Sequence, residues 1–372
     1  MRYVDAFRDK CLGKELARRI ELKATRPVTL MEVCGTHTMA IARHGIRGLL
    51  PTNIKIVSGP GCPVCVTPQS LIDSFIELGK QTGMILATFG DMMRVPGSRS
   101  SLELERASGL DVRVVYSPLD SLRIARENPR KKVVFFGIGF ETTAPAVALT
   151  VLEARSMGLD NLFILSAHKL IPPALEFLAS DSETSIEGFL CPGHVSAIIG
   201  SQAYSRITGH YGIPCVIAGF EPLDILQGIL MLVSQVEEGR ADIETQYSRV
   251  VSQAGNLEAL RCLNSVFQVT DAEWRGLGVI PQSGLEFKSE FSRFDASRLI
   301  TGRPSESRPN VRCMCGPILK GLLSPTDCPV FGSECTPASP LGPCMVSSEG
   351  ACSAEYRYGR LLGGSADVDM LC

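Results

Sequence analysis

Between residues 28 and 238, short runs of apolar, often β-branched residues alternate with stretches of helical spacing. The clearest runs are VVFFGI at 133–138, LFILSA at 162–167 and PCVIAG at 214–219. Their continuity predicts strands buried on both faces of a parallel sheet. VTLMEV (28–33), NIKIVS (53–58), MILATF (84–89) and VRVVY (112–116) repeat the pattern, each ahead of a Gly- or Pro-bearing turn and a helix-like segment, and IEGFL (186–190) adds an eighth run. Strands alternating with helices in this way predict an α/β fold. The polar ENPRKK at 127–132 divides the eight into two groups of four, giving expected α/β domains at 1–128 and 129–238. The two groups echo each other weakly, ATFGDMMRVPG resembling LSAHKLIPPA and GPGCP resembling CPGH, which leaves an internal duplication open. From 238 to 267 the spacing of Ile243, Tyr247, Val250, Val251, Leu257, Leu260 and Leu263 reads as helical, and TGRPSESRPN at 301–310 reads as a linker. The third expected region, 239–372, thus joins a helical segment to a cysteine-rich tail.

Composition adds exclusions. With 37 Lys+Arg against 39 Asp+Glu and a net charge of −2, the chain carries no electrostatic footprint for nucleic acid or an anionic membrane. The longest apolar stretches, 133–140 and 225–233, fall short of a membrane span. The N-terminal MRYVDAFRDKCLGKELARRIELK lacks the apolar core of a secretory signal, so the expected location is the cytoplasm. There, 14 cysteines should be thiols, metal ligands or reactive groups rather than structural staples. Six of them, Cys313, Cys315, Cys328, Cys335, Cys344 and Cys352, fall within 40 residues, and the tail reads as chemically separate from the body.

In an open α/β sheet, ligands bind beyond the carboxyl ends of the strands, and the unusual side chains of this sequence follow strands. In MEVCGTHTMAIARHG, Cys34 and His37 stand three residues apart where a helix begins, so they could share a cation, and the helix field should lower the thiol pKa. A buried thiol with an incidental histidine is the plain alternative. In IVSGPGCPVCVTP, Cys62 and Cys65 form a CxxC at a strand-to-helix turn, which reads as a redox dithiol or half of a metal site. GIGFETTAPA (137–146) looks like a phosphate loop, but Thr142 stands where a dinucleotide fingerprint needs glycine and no GKS or GKT follows. Glu141 fits a helix N-terminal carboxylate equally well. His168 and Lys169, His194, and the Gly219–Phe220–Glu221–Pro222 turn occupy similar loops. The six tail sulfurs are too many for one zinc. Four thiolates suit an iron-sulfur cluster or zinc, and two would remain as a redox pair.

Together CGTHT, GPGCPVC, GFETTAPA, PGHVSAIIG and CTPASPLGPCMVSSEGAC, in this order along nearly the whole chain, resemble the HypD family of hydrogenase maturation factors. The resemblance implies two open parallel-sheet α/β domains plus a small cysteine-rich iron-sulfur domain similar to ferredoxin:thioredoxin reductase. It also implies partners, HypC and HypE, and a scaffold role in assembling the iron group of nickel-iron hydrogenase that carries cyanide and carbonyl ligands. The family's essential thiol falls on Cys34 with His37 beside it, and its GPGCPVC pair on Cys62 and Cys65, all three cysteines being expected near the iron. By the same similarity a 4Fe-4S cluster is placed on Cys313, Cys328, Cys335 and Cys352, with Cys315 and Cys344 as the exchangeable pair. A stand-alone thiol-disulfide oxidoreductase and a zinc-bound interaction module are the alternatives from other classes.

Overall fold

The computed structural model describes residues 6–300 and 312–359, so the linker expected at 301–310 lies outside the described residues. In chain order the strands are β1 (Val28–Glu32), β2 (Ile54–Ser58), β3 (Met84–Thr88), β4 (Val112–Val114), β5 (Lys132–Gly137), β6 (Leu162–Ser166), β7 (Gly188–Pro192), β8 (Cys215–Ala218), β9 (Ile243–Thr245), β10 (Phe267–Trp274) and β11 (Gly278–Phe287). All eight expected strands are present.

Their grouping differs from the expected one. The first sheet has the order β2-β1-β7-β8-β9 and the second β4-β3-β5-β6, both parallel throughout. The sheets therefore do not divide near residue 128. The chain begins one sheet, builds the whole of the other from β3 to β6, and returns to finish the first. Each sheet taken alone follows the same winding, second strand, first, third, fourth, with a fifth added to the larger sheet. The weak sequence echoes do not mark this repetition: GPGCP and CPGH both follow strands of the first sheet, ATFG and LSAHK both follow strands of the second.

Burial explains the continuous apolar runs. Along β5, Val134 and Phe136 face a core shared with Met31, Val57, Phe189 and Ile217 of the other sheet, while Val133 and Phe135 face the covering helices. On the far side of the first sheet, Val28, Leu30, Ile54, Ile56, Leu190 and Val216 share a core with Ile225, Leu226 and Ile229 of the helix Pro222–Glu237, which packs on β1, β7 and β8. A period of two puts each alternate residue into a different core, which is why the runs are apolar throughout.

The region after 238 is a further correction. Ile243 begins strand β9 at the edge of the first sheet, and the helix is confined to Leu257–Val266, opened by the Asn256 side chain accepting from Glu258 and Ala259. An antiparallel hairpin, β10–β11, follows, one that the helical reading did not foresee. Its Trp274, the single tryptophan, is buried and donates from Nε1 to Ser283 Oγ at 2.8 Å. The cysteine-rich tail packs against the body. Cys315, Cys328, Cys335, Cys344 and Cys352 belong to the same apolar core as both sheets. Among the described residues no helix is long and apolar enough to cross a membrane.

Candidate functional site

The order of the first sheet reverses between β1 and β7, and such a switch point leaves a crevice beyond the carboxyl ends. Glu32 of β1 pairs with Leu190 of β7, and β7 runs two residues further, to Pro192. Cys34 leaves β1 there in extended backbone (φ −148°, ψ 123°) and begins the helix Gly35–Arg43. His194 follows β7, and Phe220 follows β8. The His194 ring lies 3.9 Å from that of Phe220, and His37 approaches Phe220 at 5.0 Å.

His37 is fully buried, and its Nε2–H donates to the Gly219 carbonyl at 2.9 Å. That bond leaves Nδ1 as a lone pair, buried and without a hydrogen-bond partner. Burial pushes the ring pKa down to about 4, so the imidazole is neutral. Gly219 is a glycine for space, since a Cβ there would lie 2.2 Å from Asp224 Oδ2.

Cys34 is 7% exposed, and its thiol departs from the expected lowering. Burial pushes it up to about 12, and the charges of Glu349 and Glu32 add to the rise. The backbone N–H groups of His37 and Thr36 pull the other way and lose. A few oriented amides offset less than the desolvation of a thiolate, so the helix field does not decide here. Without a cation the thiol keeps its proton, and a bound metal would displace it.

The GPGCPVC turn lies against this thiol. Gly35 N–H donates to the Gly61 carbonyl at 2.9 Å, and a Cβ on Gly61 would sit 2.2 Å from Cys34 N. Cys62 and Cys65 are buried and joined as a disulfide across the short helix Pro63–Val66. In this oxidised state neither sulfur is available to an ion, so the expected metal ligation by Cys62 and Cys65 would require reduction first.

The tail closes the site from the third side. Thr36 Oγ1 donates to Glu349 Oε1 at 2.8 Å, and a Cβ on Gly35 would lie 2.5 Å from Glu349 Cβ. The helix Ala351–Tyr358 packs on Gly35–Arg43, and Pro343–Val346 packs on Pro63–Val66. Behind these contacts the six tail sulfurs gather. Cys315 Sγ and Cys344 Sγ are 2.8 Å apart. The Cys352 thiol is pushed well up, first by burial and then by Cys315, Cys313, Cys335 and Cys328 around it. Cys313 rises through its contact with Cys315 and through burial. Among the described residues no three His, Cys, Asp or Glu side chains converge as on a single ion. A cubane cluster asks for something else, four thiolates each on a different iron, and an all-sulfur, largely buried donor set suits it.

The other residues singled out by sequence stand apart from this site. Glu141 is buried, accepts from Ile171 N–H at 2.9 Å, and is pushed up to about 7 by burial. In the same loop the Thr143 and Ala144 amides both donate to the Phe140 carbonyl, so two amides that a phosphate loop would offer are already committed. Glu221 pairs with Arg8 at 2.6 Å. His168 and Lys169 lie beyond β6, in the second sheet.

Two site residues were missed by sequence reading. Glu349 acquires its role through closure over 313 residues, and only its place in SSEGAC hinted at it. Glu32 sits inside an apolar strand, where its burial is complete. It accepts from Thr38 Oγ1 at 2.6 Å and from Cys34 N–H at 3.1 Å, and desolvation raises its pKa to about 7. The folded carboxyl thus keeps its proton well above the ordinary value near 4.5, the folded state binds more protons between those values, and stability falls as pH rises through that window. Glu32→Gln cannot titrate. Its stability relative to the unsubstituted protein should climb by about 3 kcal/mol between pH 4.5 and 7, read from urea unfolding at both ends. Parallel pH profiles would show that Glu32 is ionised throughout.

Comparison with known proteins bears on this geometry. The HypD family, described as "Hydrogenase formation hypA family", matches residues 12–359. The chain is 48% identical to the hydrogenase maturation factor HypD of Azotobacter vinelandii, over 97% of each chain. It is 47% identical to the hydrogenase expression/formation protein HupD of Azotobacter chroococcum over 99% of this chain and all of that one. Identity to HypD of Escherichia coli K12 is 45%, over 96% and 98% of the two chains.

Proposed function

The chain belongs to the HypD family of hydrogenase maturation factors, and from that premise we propose that it is the scaffold on which the iron group of nickel-iron hydrogenase receives its cyanide and carbonyl ligands. The observation that carries this reading is the meeting of three distant segments at one switch point: the CGTH turn at Cys34, the CPVC disulfide behind Gly61, and Glu349 of the tail.

The iron is cargo. Low-spin iron(II) bearing cyanide and carbonyl is soft and prefers thiolate, so Cys34 is the ligand this chain offers, with a second thiolate from the small partner HypC. HypE is the second partner, and the cytoplasm supplies the reducing surroundings that the free thiols require. Binding expels the Cys34 proton. His37 turns its Nδ1 lone pair, unpartnered in the protein, to a hydrogen bond from an N–H or O–H of the partner, while Nε2–H fixes the ring on Gly219. The Phe220 ring excludes water from one wall.

Cys313, Cys328, Cys335 and Cys352 would hold a 4Fe-4S cluster, which supplies one-electron redox chemistry when bound. Cys315 and Cys344, already in contact, form the dithiol beside it. The helix bearing Cys344 packs on the helix bearing Cys65. Exchange then balances within the chain: the Cys315/Cys344 dithiol gives two electrons and two protons to the Cys62–Cys65 disulfide, closing its own disulfide as the other opens. The protein is thereby a scaffold with a redox function rather than a turnover enzyme.

That disulfide also favours a second reading, a stand-alone thiol-disulfide oxidoreductase. Iron content separates the two. The isolated complex with HypC should contain about five iron atoms per chain, four in the cluster and one on Cys34. A content of about four would support the oxidoreductase, and a colourless zinc protein would exclude both.

A further inference from the structure

A pocket of about 350 Å³ opens between the end of β6, the β10–β11 hairpin and the segment around Asp295, with neither Cys34 nor His37 in its lining. Lys169 lines it at 4% exposure, and its ammonium makes no hydrogen bond or ion pair with any described residue. Only the backbone of Lys169 is tied down, N–H to the Gly139 carbonyl at 3.0 Å and in a bridge to Gly284. The stem is buried and the ammonium opens only into the pocket, and a largely desolvated charge without a partner is costly, so proteins that keep one commonly pair it with something bound. Desolvation lowers the Lys169 pKa to about 8, with Glu273 pulling it back up.

His168 lines the same pocket but adds no charge. Ser166 Oγ–H donates to the Leu285 carbonyl at 3.0 Å and so accepts from His168 Nδ1–H at 3.1 Å. The ring is neutral, and its Nε2 is left buried as a lone pair with no partner. Lys169 is therefore the one cation among the lining residues, set against four carboxylates, Asp271, Glu273, Glu286 and Asp295. All four accept from neutral donors: the Gln282 amide, the Ser70 hydroxyl, the Gln268 side chain, and Ser297. None forms an ion pair with a described residue. Lys169 and His168 are buried, whereas Asp271, Glu273 and Glu286 are exposed, so positive charge lies at the inner end of the pocket and negative charge at its mouth.

A simple anion would meet the Lys169 ammonium only by passing three carboxylates, and a simple cation would be repelled at the inner end. A molecule bearing both charges satisfies both ends, and the volume is at the small-ligand end of binding pockets. We propose that this pocket binds a small zwitterion of the amino-acid class, its carboxylate on the Lys169 ammonium and its cationic group toward Asp271, Glu273 and Glu286.

L-lysine is the probe, titrated calorimetrically into the full chain, with hexanoate, which keeps only the carboxylate, and cadaverine, which keeps only the two ammonium groups, as arms. L-lysine should bind saturably, and each one-ended arm should bind about tenfold more weakly. Lys169→Met keeps the length of the side chain and removes the unpaired charge, so it should melt no lower than the unsubstituted protein while losing about tenfold or more in L-lysine affinity. Exposed Glu273→Gln should weaken L-lysine by about threefold and leave hexanoate no weaker. Absence of saturable L-lysine binding, an unchanged affinity in Lys169→Met, or a one-ended arm that binds as tightly as L-lysine would each overturn the proposal.

Discussion

Cys34→Ala should yield a folded protein that supports no hydrogenase maturation. The thiol caps no amide of its helix, and its removal deletes a single atom from the edge of the core, a loss of about 1 kcal/mol in stability. The functional loss is of a different order. Glu32, Glu349 and His37 remain around the position, but carboxylate and imidazole oxygen and nitrogen are poor substitutes for a thiolate on soft iron. Hydrogenase activity in a strain carrying the variant should fall to background, while its melting temperature moves by a few degrees. Retained activity would show that the iron is held elsewhere.

The second large effect belongs to the tail. Single replacement of Cys313, Cys328, Cys335 or Cys352 by Ala should bleach the protein and cost several kcal/mol, because a structural metal centre contributes its binding energy to folding. Since these sulfurs share a core with both sheets, and the helix Ala351–Tyr358 packs on the helix that begins at Cys34, the damage should reach the CGTH turn. Cys315→Ala and Cys344→Ala should instead keep the brown absorbance and lose the disulfide that the pair can form. If Cys315→Ala bleaches and Cys313→Ala stays brown, the two exchange roles.

Strand positions were legible because burial on both faces writes itself as continuous apolar runs, as in VVFFGI. Sheet membership was not, because nothing within VTLMEV states that its neighbour is GFLCP, 160 residues away, rather than MILAT. The hairpin β10–β11 escaped because its outward face carries Gln268, Thr270 and Glu273, which dilute the apolar signal of an isolated two-stranded element. At the site, Cys34, His37, Cys62 and Cys65 announced themselves by residue type and spacing. Glu32 and Glu349 did not, since a carboxylate becomes unusual only through what surrounds it. Complete desolvation makes Glu32 so, and a hydrogen bond from Thr36 across the whole chain makes Glu349 so. The same desolvation reversed the expectation for the Cys34 thiol, whose local sequence shows the helix start but not the burial.

Infrared spectroscopy of the complex between this chain and HypC tests the central claim most directly, because cyanide and carbonyl stretches on iron fall in a window free of protein bands. The unsubstituted complex should show both sets of bands, and the Cys34→Ala complex, with its tail cluster still absorbing, should show neither. Cyanide and carbonyl bands that persist at full intensity in Cys34→Ala would contradict the assignment of Cys34 as the iron ligand and, with it, the account of the switch-point site.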